Sequence, residues 1–265
     1  KVNAIYKISD HPLIWTSHGS KNWKNLRNNT KKEAFLLAHT MWHFSWSSLI
    51  MYYKQKKILK SNNIKLILLH NANSEYRFSK FFGFESRLIN HNIHSCEHIF
   101  NIDKNTDKLY DAVYIAAAKP YKRLHLARKI KKLFVVTYFW PDVTNENGEW
   151  DLHAFEPQIK HAKFNKFRID STSVNAIVNK SKCSLALSKK EGAMFAVIES
   201  LLAGVPVVTT KSKGGRDFFL SSENSLIVEA NADDVANGVY EIINKNLSPE
   251  RVRNTTLKNV KQNRN

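Results

Sequence analysis

The sequence predicts an α/β protein with mainly parallel sheets in two domains, and three observations support this fold class. Apolar runs of strand length alternate with amphipathic stretches of helix length. Their strand–helix–strand order favours parallel pairing. A polar stretch without periodicity, from His91 to Lys108, separates two such series. The predicted domains are therefore residues 1–105 and 106–265, in a chain of 265 residues that is long enough for both.

The first domain is expected to contain three strands and two helices. Its first apolar run ends at His18 and Gly19, a pattern typical of a buried strand followed by a tight turn. The elements in order are a strand at Pro12–Ser17, a helix over about Lys31 to Lys60, a strand at Ile64–His70, a helix capped by Ser74 and ending at Gly83, and a strand at Ser86–Asn90.

The second domain repeats the alternation with more strands. Helices are predicted where apolar residues recur at helical spacing, and strands where short apolar runs lie between turn residues. The predicted strands are Asp111–Ala117, Leu133–Tyr138, Ala162–Phe167, Ser184–Leu187 and Val205–Thr209; the helices are Lys122–Lys132, Ser171–Lys180 and Phe195–Ala203; and Trp140–Gln158 is a loop.

Composition excludes several protein classes. Hydrophobic residues make up 43% of the chain, and Gly and Pro number only 8 and 6, which excludes a collagen-like or disordered chain. No apolar run approaches the roughly 20 residues of a membrane span. The 2 cysteines make no disulfide framework, so we expect a reducing compartment and a cytoplasmic location.

The net charge of +18 attracts polyanions. Nucleic acid, an anionic membrane surface and a phosphorylated small molecule are all candidate partners. The alternative is that the charge is background, because the chain is generally rich in Lys, Asn and Ile and its basic residues are spread along it. Lys-rich runs such as Lys56 to Lys60 leave peripheral membrane contact open beside the default of a solvated helix face.

The segment from Ser184 to Asp217 has the clearest chemical pattern. A predicted strand places Glu191 at its carboxyl end, the edge where open α/β sheets bind ligands. Gly192 permits a close turn, and the next helix starts near Phe195, so its N–H groups would form an anion site suited to a pyrophosphate. Carboxylates beside such a site can accept hydrogen bonds from sugar and ribose hydroxyls.

These residues resemble a known signature. The pattern E-G-x6-E followed by A-G-x-P-V-V resembles that of the retaining glycosyltransferases of family four, which have the GT-B fold. In this chain the pattern is Glu191-Gly192, Glu199 and Ala203 to Val208, with Ser188 ahead of it and with Gly214-Gly215-Arg216-Asp217, Asn224–Val228 and Ala232-Asp233-Asp234 after it.

The resemblance implies two Rossmann-like domains facing across a cleft, the N-terminal one short or incomplete. The first would bind the acceptor, a hydroxyl of a glycan, lipid or protein-linked acceptor, and the second a UDP-sugar or GDP-sugar. It implies sugar transfer with retention of configuration and no required cofactor or metal. Glu191 would hold donor-sugar hydroxyls and Glu199 the ribose, with Ser188 and the helix start at Gly192, Ala193, Met194 and Phe195 as further donor contacts.

The family pattern also has an Arg and a Lys that neutralise the diphosphate. Lys122 matches the Lys, whereas Ala117 stands at the Arg position. Lys119 or Arg123 could supply the second charge. The alternative for Lys122 and Arg123 is a solvated basic helix face.

His18 stands where the family has its active-site histidine, and we therefore assign it with Glu191 to the catalytic site. The alternative is a turn histidine with a local hydrogen bond. Metal-ligand spacing occurs at His91, His94 and His98 with Cys96, but without a second ligand pair a polar linker is favoured. The tryptophans of the first domain, which line either an acceptor cleft or the core, are Trp15, Trp23, Trp42 and Trp46.

The sequence therefore favours a glycosyltransferase acting on a nucleotide sugar. Two alternatives stay open: a basic nucleic-acid-binding protein, and a non-catalytic relative of the glycosyltransferases suggested by Ala117. A nucleic-acid partner is not expected, because no RRM, KH, helix-turn-helix or zinc-finger pattern is present in the sequence.

Overall fold

The computed structural model describes residues 5–18, 23–26, 33–139 and 144–264. The chain divides into two compact units. The first unit comprises the residues up to His91 together with Glu191–Ala193 and Lys213–Phe218. The second unit comprises Asn92–Lys190, Met194–Ser212 and the residues from Phe219 onward.

The first unit has a five-stranded sheet in the order β1-β2-β3-β4-β5. Strand β1 is antiparallel to β2, and the other neighbours pair in parallel. The two helices follow β3 and β4. The bounds are β1 Ile5–Asp10, β2 Leu13–His18, β3 Ala34–His39, α1 Trp46–Lys60, β4 Ile64–His70, α2 Asn73–Phe81 and β5 Glu85–Leu88.

The helix predicted from Lys31 to Lys60 is wrong in its first half. Ala34, Leu36 and Ala38 are buried at every second position, so this segment is the central strand β3, paired with β2 and β4. The helical periodicity of the second half does not extend into this segment. Only residues from Trp46 onward form α1.

Local sequence patterns predicted some elements of this unit correctly and missed others. Strand β4 has the bounds that the apolar run predicts, and Gly83 follows α2 with a φ of 74°. Ser74 is not the cap, because α2 starts one residue before it. Strand β1 was not predicted: its Tyr6 and Ile8 are exposed, so this edge strand lacks a buried apolar face.

The second unit has a six-stranded parallel sheet in the order β11-β10-β9-β6-β7-β8. Its bounds are β6 Tyr110–Ile115, β7 Leu133–Val136, α3 Leu152–Phe155, β8 Lys163–Phe164, α4 Ser171–Asn179, β9 Ser181–Ala186, α5 Phe195–Leu202, β10 Val207–Thr210, β11 Ser225–Val228, α6 Ala232–Asn244 and α7 Pro249–Arg264. Among the described residues, no helix combines the length and the apolar character needed to cross a membrane.

The predicted basic helix Lys122–Lys132 is wrong. This segment forms two short 3₁₀ turns, Pro120–Lys122 and Leu124–Ala127, separated by Arg123 at a φ of 54°. A residue in the left-handed conformation cannot continue an α-helix, so the run of basic residues does not form one here. The predicted loop Trp140–Gln158 contains α3, and its residues 140–143 lie outside the described residues.

The division between the units falls after His91 rather than at residue 105. Two arginines of α7 explain the difference, because they donate to backbone carbonyls of the polar stretch. Arg264 binds Ile93 O at 2.8 Å and Ser95 O at 2.9 Å. Arg253 binds Phe100 O at 2.7 Å, Glu97 O at 2.9 Å and Leu202 O. The stretch is therefore packed into the second unit and is not a free linker.

Replacing Arg253 should destabilise the second unit. Arg253→Met leaves the three carbonyls of Glu97, Phe100 and Leu202 without their donor, and we expect unfolding free energy to fall by about 2–3 kcal/mol. Arg251→Met is the matched control on the same helix, since it removes only an exposed pair with Glu223 worth about 0–1 kcal/mol. Urea unfolding measures both, and equal losses would contradict this role for Arg253.

Candidate functional site

In the second unit, the turn after β6 meets the segment after β9. Lys189 N donates to Tyr121 O at 3.2 Å, which holds the turn beside the carboxyl end of β9. Ser188, next in the chain, is buried, and its hydroxyl lies 4.0 Å from the sulfur of Met194. The predicted donor residues Lys119 to Arg123 and Ser188 therefore belong to one edge of this sheet.

Lys122 is buried, with 6% of its surface exposed. Its Nζ lies 5.5 Å from the centre of the Tyr121 ring, and its carbonyl accepts a hydrogen bond from the Tyr114 hydroxyl. A lysine is seldom buried unless its charge has a partner or a function. The alternative of a solvated basic helix face is therefore wrong for Lys122.

Arg123 connects two strand ends. Its Nε donates to Leu187 O at 2.5 Å, one residue beyond β9, and its Nη2 donates to Oγ1 of Thr210, the last residue of β10, at 2.6 Å. These bonds show a structural role that the sequence did not predict. Lys119 is half-buried at the start of the turn, and Ala117 is buried, so the position of the family arginine holds a small side chain.

Helix α5 begins at Phe195, as predicted, with Met194 as its N-cap and no side-chain cap hydrogen bond. Met194 is buried, whereas Phe195 is exposed at the start of the helix. The helix ends at Leu202, and Gly204 follows its C-cap Ala203 with a φ of 72° and with contacts to Pro249 and Ile102 that leave no room for a side chain. The A-G-x-P pattern thus forms the expected C-cap.

Glu199 lies on α5 and is half-buried. Burial raises the pKa of its carboxyl to about 7. A carboxyl whose pKa is held in this range is a candidate functional group.

The raised pKa of Glu199 predicts a pH-dependent stability. The folded carboxyl holds its proton up to about pH 7 and the unfolded one only to about 4.5, so unfolding free energy should fall as the pH rises between these values. Glu199→Gln should remove this slope and be the more stable protein at pH 8. Urea unfolding of both proteins at pH 5 and pH 8 measures the effect, and parallel pH slopes would contradict it.

In the first unit, two segments pair side by side. Glu191 N donates to Lys213 O at 3.0 Å, and Gly215 N donates to Gly192 O at 2.7 Å. Gly214, at a φ of 103°, packs against the Glu191 carbonyl so closely that a Cβ there would lie 1.6 Å from its oxygen. Glu191 itself is buried. The two motif segments, far apart in sequence, therefore form one structure.

Two asparagines that were not predicted from the sequence hold this structure. Asn90 Nδ2 donates to Gly215 O at 2.7 Å and to Asn71 O at 2.8 Å. Asn71 Nδ2 donates to Thr40 O at 2.7 Å, and its Oδ1 accepts from His91 N at 2.9 Å. Their positions in the sequence could have identified them, because Asn71 directly follows β4 and Asn90 lies two residues beyond β5.

His18 is the last residue of β2 and is half-buried. Its ring stacks on His39 at 5.0 Å and on His91 at 5.2 Å, and those two rings are 4.0 Å apart. His18 is therefore part of a histidine cluster and not only a turn histidine; Gly19 lies outside the described residues. Within the described residues, no group of three His, Cys, Asp or Glu side chains is arranged to hold a metal ion.

Other predicted residues have clear placements. Ala193 is half-buried beside Gly192, and Gly192 lies against the Met41 backbone, where a Cβ would be 2.5 Å from the carbonyl oxygen. Arg216 is fully buried and pairs with Asp217 at 2.6 Å. That Glu191 and Glu199 contact the sugar and the ribose of one donor stays a prediction.

The tryptophans separate into two groups. Trp23 is in the core of the first unit, with its Nε1 donating to Ser17 Oγ at 2.9 Å, and Trp15 packs against that core. Trp42 and Trp46 are exposed. The core interpretation is therefore right for the first pair only.

Comparison with known proteins gives one family match. Residues 152–259 match the sequence family described as glycosyl transferases group 1, which is less than half of the 265 residues. The matched range contains Ser188, Glu191 and Glu199. The part of the chain that carries the motifs is therefore similar to this family. A search of the curated proteins gives no significant match.

Solved structures share the fold. A mutant of S. aureus TarM, in complex with fondaparinux, alpha-GlcNAc-glycerol and UDP, is 17% identical with a TM-score of 0.65, over 94% of this chain and 51% of TarM. Anabaena HepE in complex with UDP is 14% identical with a TM-score of 0.65, over 87% of this chain and 68% of HepE. Thermosynechococcus elongatus sucrose-phosphate synthase is 15% identical with a TM-score of 0.63, over 91% and 65%.

Sequence identities this low establish the fold, but not the family, the substrate or the roles of individual residues. The fold class is α/β of the GT-B type with Rossmann-like domains, as predicted. The chain spans about half the length of TarM. Membership of family four in particular stays a prediction.

Proposed function

We propose that this protein transfers a sugar from a nucleoside diphosphate donor to a hydroxyl of an acceptor, with retention of anomeric configuration. The observation that carries the proposal is the group 1 match over residues 152–259, which includes both glutamates of the motif. Similar structures are described in complex with UDP, which supports a uridine diphosphate donor. The acceptor proposed from these relatives is a glycan.

The second unit supplies groups suited to the donor diphosphate. Lys122 offers a buried positive charge, and the start of α5 offers backbone N–H groups. Both would stabilise the negative charge that develops on the leaving diphosphate. In this proposal Glu199 accepts hydrogen bonds from the ribose, Glu191 holds the donor sugar, His18 acts in catalysis, and no cofactor is required.

Calorimetric titration with UDP and with GDP tests the proposal. We expect saturable binding of one of them with a dissociation constant below about 1 mM. A panel of the matching nucleotide sugars, followed by hydrolysis or transfer, then identifies the donor, and the anomeric configuration of the product is determined by NMR.

The two alternative functions predict different binding results. Binding of random DNA that weakens steeply with salt, together with no binding of either nucleotide, would support that alternative and contradict the proposal. Nucleotide binding without transfer to any acceptor, and without hydrolysis, would instead support a non-catalytic relative.

A further inference from the structure

The first unit contains an open cavity of about 320 Å³ that none of the assigned catalytic or donor-binding residues lines, although Trp46, a candidate for the acceptor cleft, does. Its walls come from the loop between β3 and α1 and from the first turns of α2. His43 and Trp46 lie on one side, and Ser74, Glu75 and Phe78 on the other. The loop follows the carboxyl end of β3, and α2 follows that of β4, so the cavity is at the sheet edge where α/β proteins bind ligands.

The polar wall of the cavity is a buried glutamate that fixes a histidine. Glu75 is 2% exposed, and its Oε1 accepts from His43 Nδ1 at 2.8 Å and from Phe44 N at 2.9 Å. In the neutral tautomer with its hydrogen on Nδ1, His43 donates to the Glu75 carboxylate and keeps Nε2 as an acceptor. His43 is partly exposed, so a ligand hydroxyl can reach it.

Glu75 is costly to bury. Burial raises the pKa of its carboxyl, against the hydrogen bonds from Phe44 and His43, which lower it. Its second oxygen, Oε2, is buried without a hydrogen-bond partner among the described residues. Groups buried at such a cost often serve a site and not only the fold.

The apolar wall is an exposed tryptophan in a fixed orientation. Trp46 is 62% exposed, yet its ring makes edge-to-face contacts with Phe78 at 5.0 Å and Phe82 at 5.1 Å. An aromatic ring held in this way offers a flat apolar surface at little cost in side-chain entropy. Hydroxyls of Ser45 and Ser74 lie at the same cavity.

A flat aromatic face beside a few hydrogen-bonding groups suits a pyranose ring. Its C–H face packs on an aromatic ring, while its hydroxyls need donors and acceptors at the rim. We propose that the His43–Trp46 cavity is a subsite for a sugar residue of the acceptor, which stacks on Trp46 and donates a hydroxyl hydrogen to His43 Nε2. This inference rests on the proposed function.

Saturation-transfer NMR with the methyl glycosides of glucose, galactose, mannose and N-acetylglucosamine tests the subsite. We expect at least one glycoside to bind with millimolar affinity, and Trp46→Ala and His43→Ala to weaken it about tenfold or more. Tyr53→Ala is the matched control: Tyr53 is an exposed aromatic on the same helix that does not line the cavity, so binding should be unchanged. Melting temperatures confirm that each variant is folded.

Failure of the subsite and failure of the proposed function give different results. Saturable glycoside binding that both variants lose, without UDP or GDP binding, would support the subsite and contradict the transferase. UDP or GDP binding with no glycoside binding, or with glycoside binding that Trp46→Ala and His43→Ala leave intact, would overturn the subsite alone.

Discussion

Glu191→Gln is expected to lose at least about a hundredfold in sugar transfer while the protein stays folded. Glutamine keeps the size of the buried side chain but removes the negative charge that would hold the donor-sugar hydroxyls. The backbone bond from Glu191 N to Lys213 O does not depend on the side chain, so the segment should keep its place. Initial rates at saturating donor and acceptor, with circular dichroism as a check of folding, measure the effect.

The control for this variant is Glu229→Gln. Glu229 is exposed and pairs only weakly with Lys211 at 3.5 Å, so the same change of charge there should leave transfer within about twofold. Undiminished turnover of Glu191→Gln would contradict the role assigned to Glu191. Equal losses in the two variants would show that net charge, and not the site, determines the rate.

Gly214→Ala is expected to lower the unfolding free energy by about 3 kcal/mol or more. It is also expected to lower the rate of sugar transfer, because Glu191 is displaced. A left-handed φ costs an alanine about 1–2 kcal/mol. The added Cβ would also lie 1.6 Å from the Glu191 carbonyl oxygen, so the backbone of the Glu191–Ala193 segment must move. Urea unfolding and initial rates measure the two losses.

Gly148→Ala separates the two causes. Gly148 has a φ of 73°, but no atom lies within 4 Å of the position of its Cβ. Gly148→Ala should therefore lower the unfolding free energy only by the conformational cost, about 1 kcal/mol, and should leave the rate of transfer unchanged. If Gly214→Ala were no worse than Gly148→Ala, the close packing of Gly214 against Glu191 would not be required for the site.

The element predictions that succeeded depend on local signals. Strand β4 is a continuous apolar run, and α4 and α5 begin where the helical spacing of their apolar residues predicts. The predictions that failed are those in which distant contacts decided the conformation. Residues 34–39 fall within the predicted helix, yet they form β3 because β2 and β4 pair with both of its edges.

The donor motif shows the same distinction. The order of Glu191, Gly192 and Glu199 was sufficient to suggest a sugar-nucleotide site, because this spacing connects a strand end to a helix start. The burial of Lys122 and the bonding of Arg123 to two strand ends were not predictable, since they depend on which strands of the sheet lie side by side.

The α/β class, the positions of the apolar strands and the resemblance to a glycosyltransferase signature could be predicted from the sequence, because each depends on residues close together in the chain. The stacking of His18, His39 and His91 and the bond from Asn90 to Gly215 depend on contacts between distant segments, so they could not be predicted. The same holds for the contact by which Glu75 holds His43 beside Trp46. Periodicity shows which face of an element is buried, but not which polar groups from distant parts of the chain meet there.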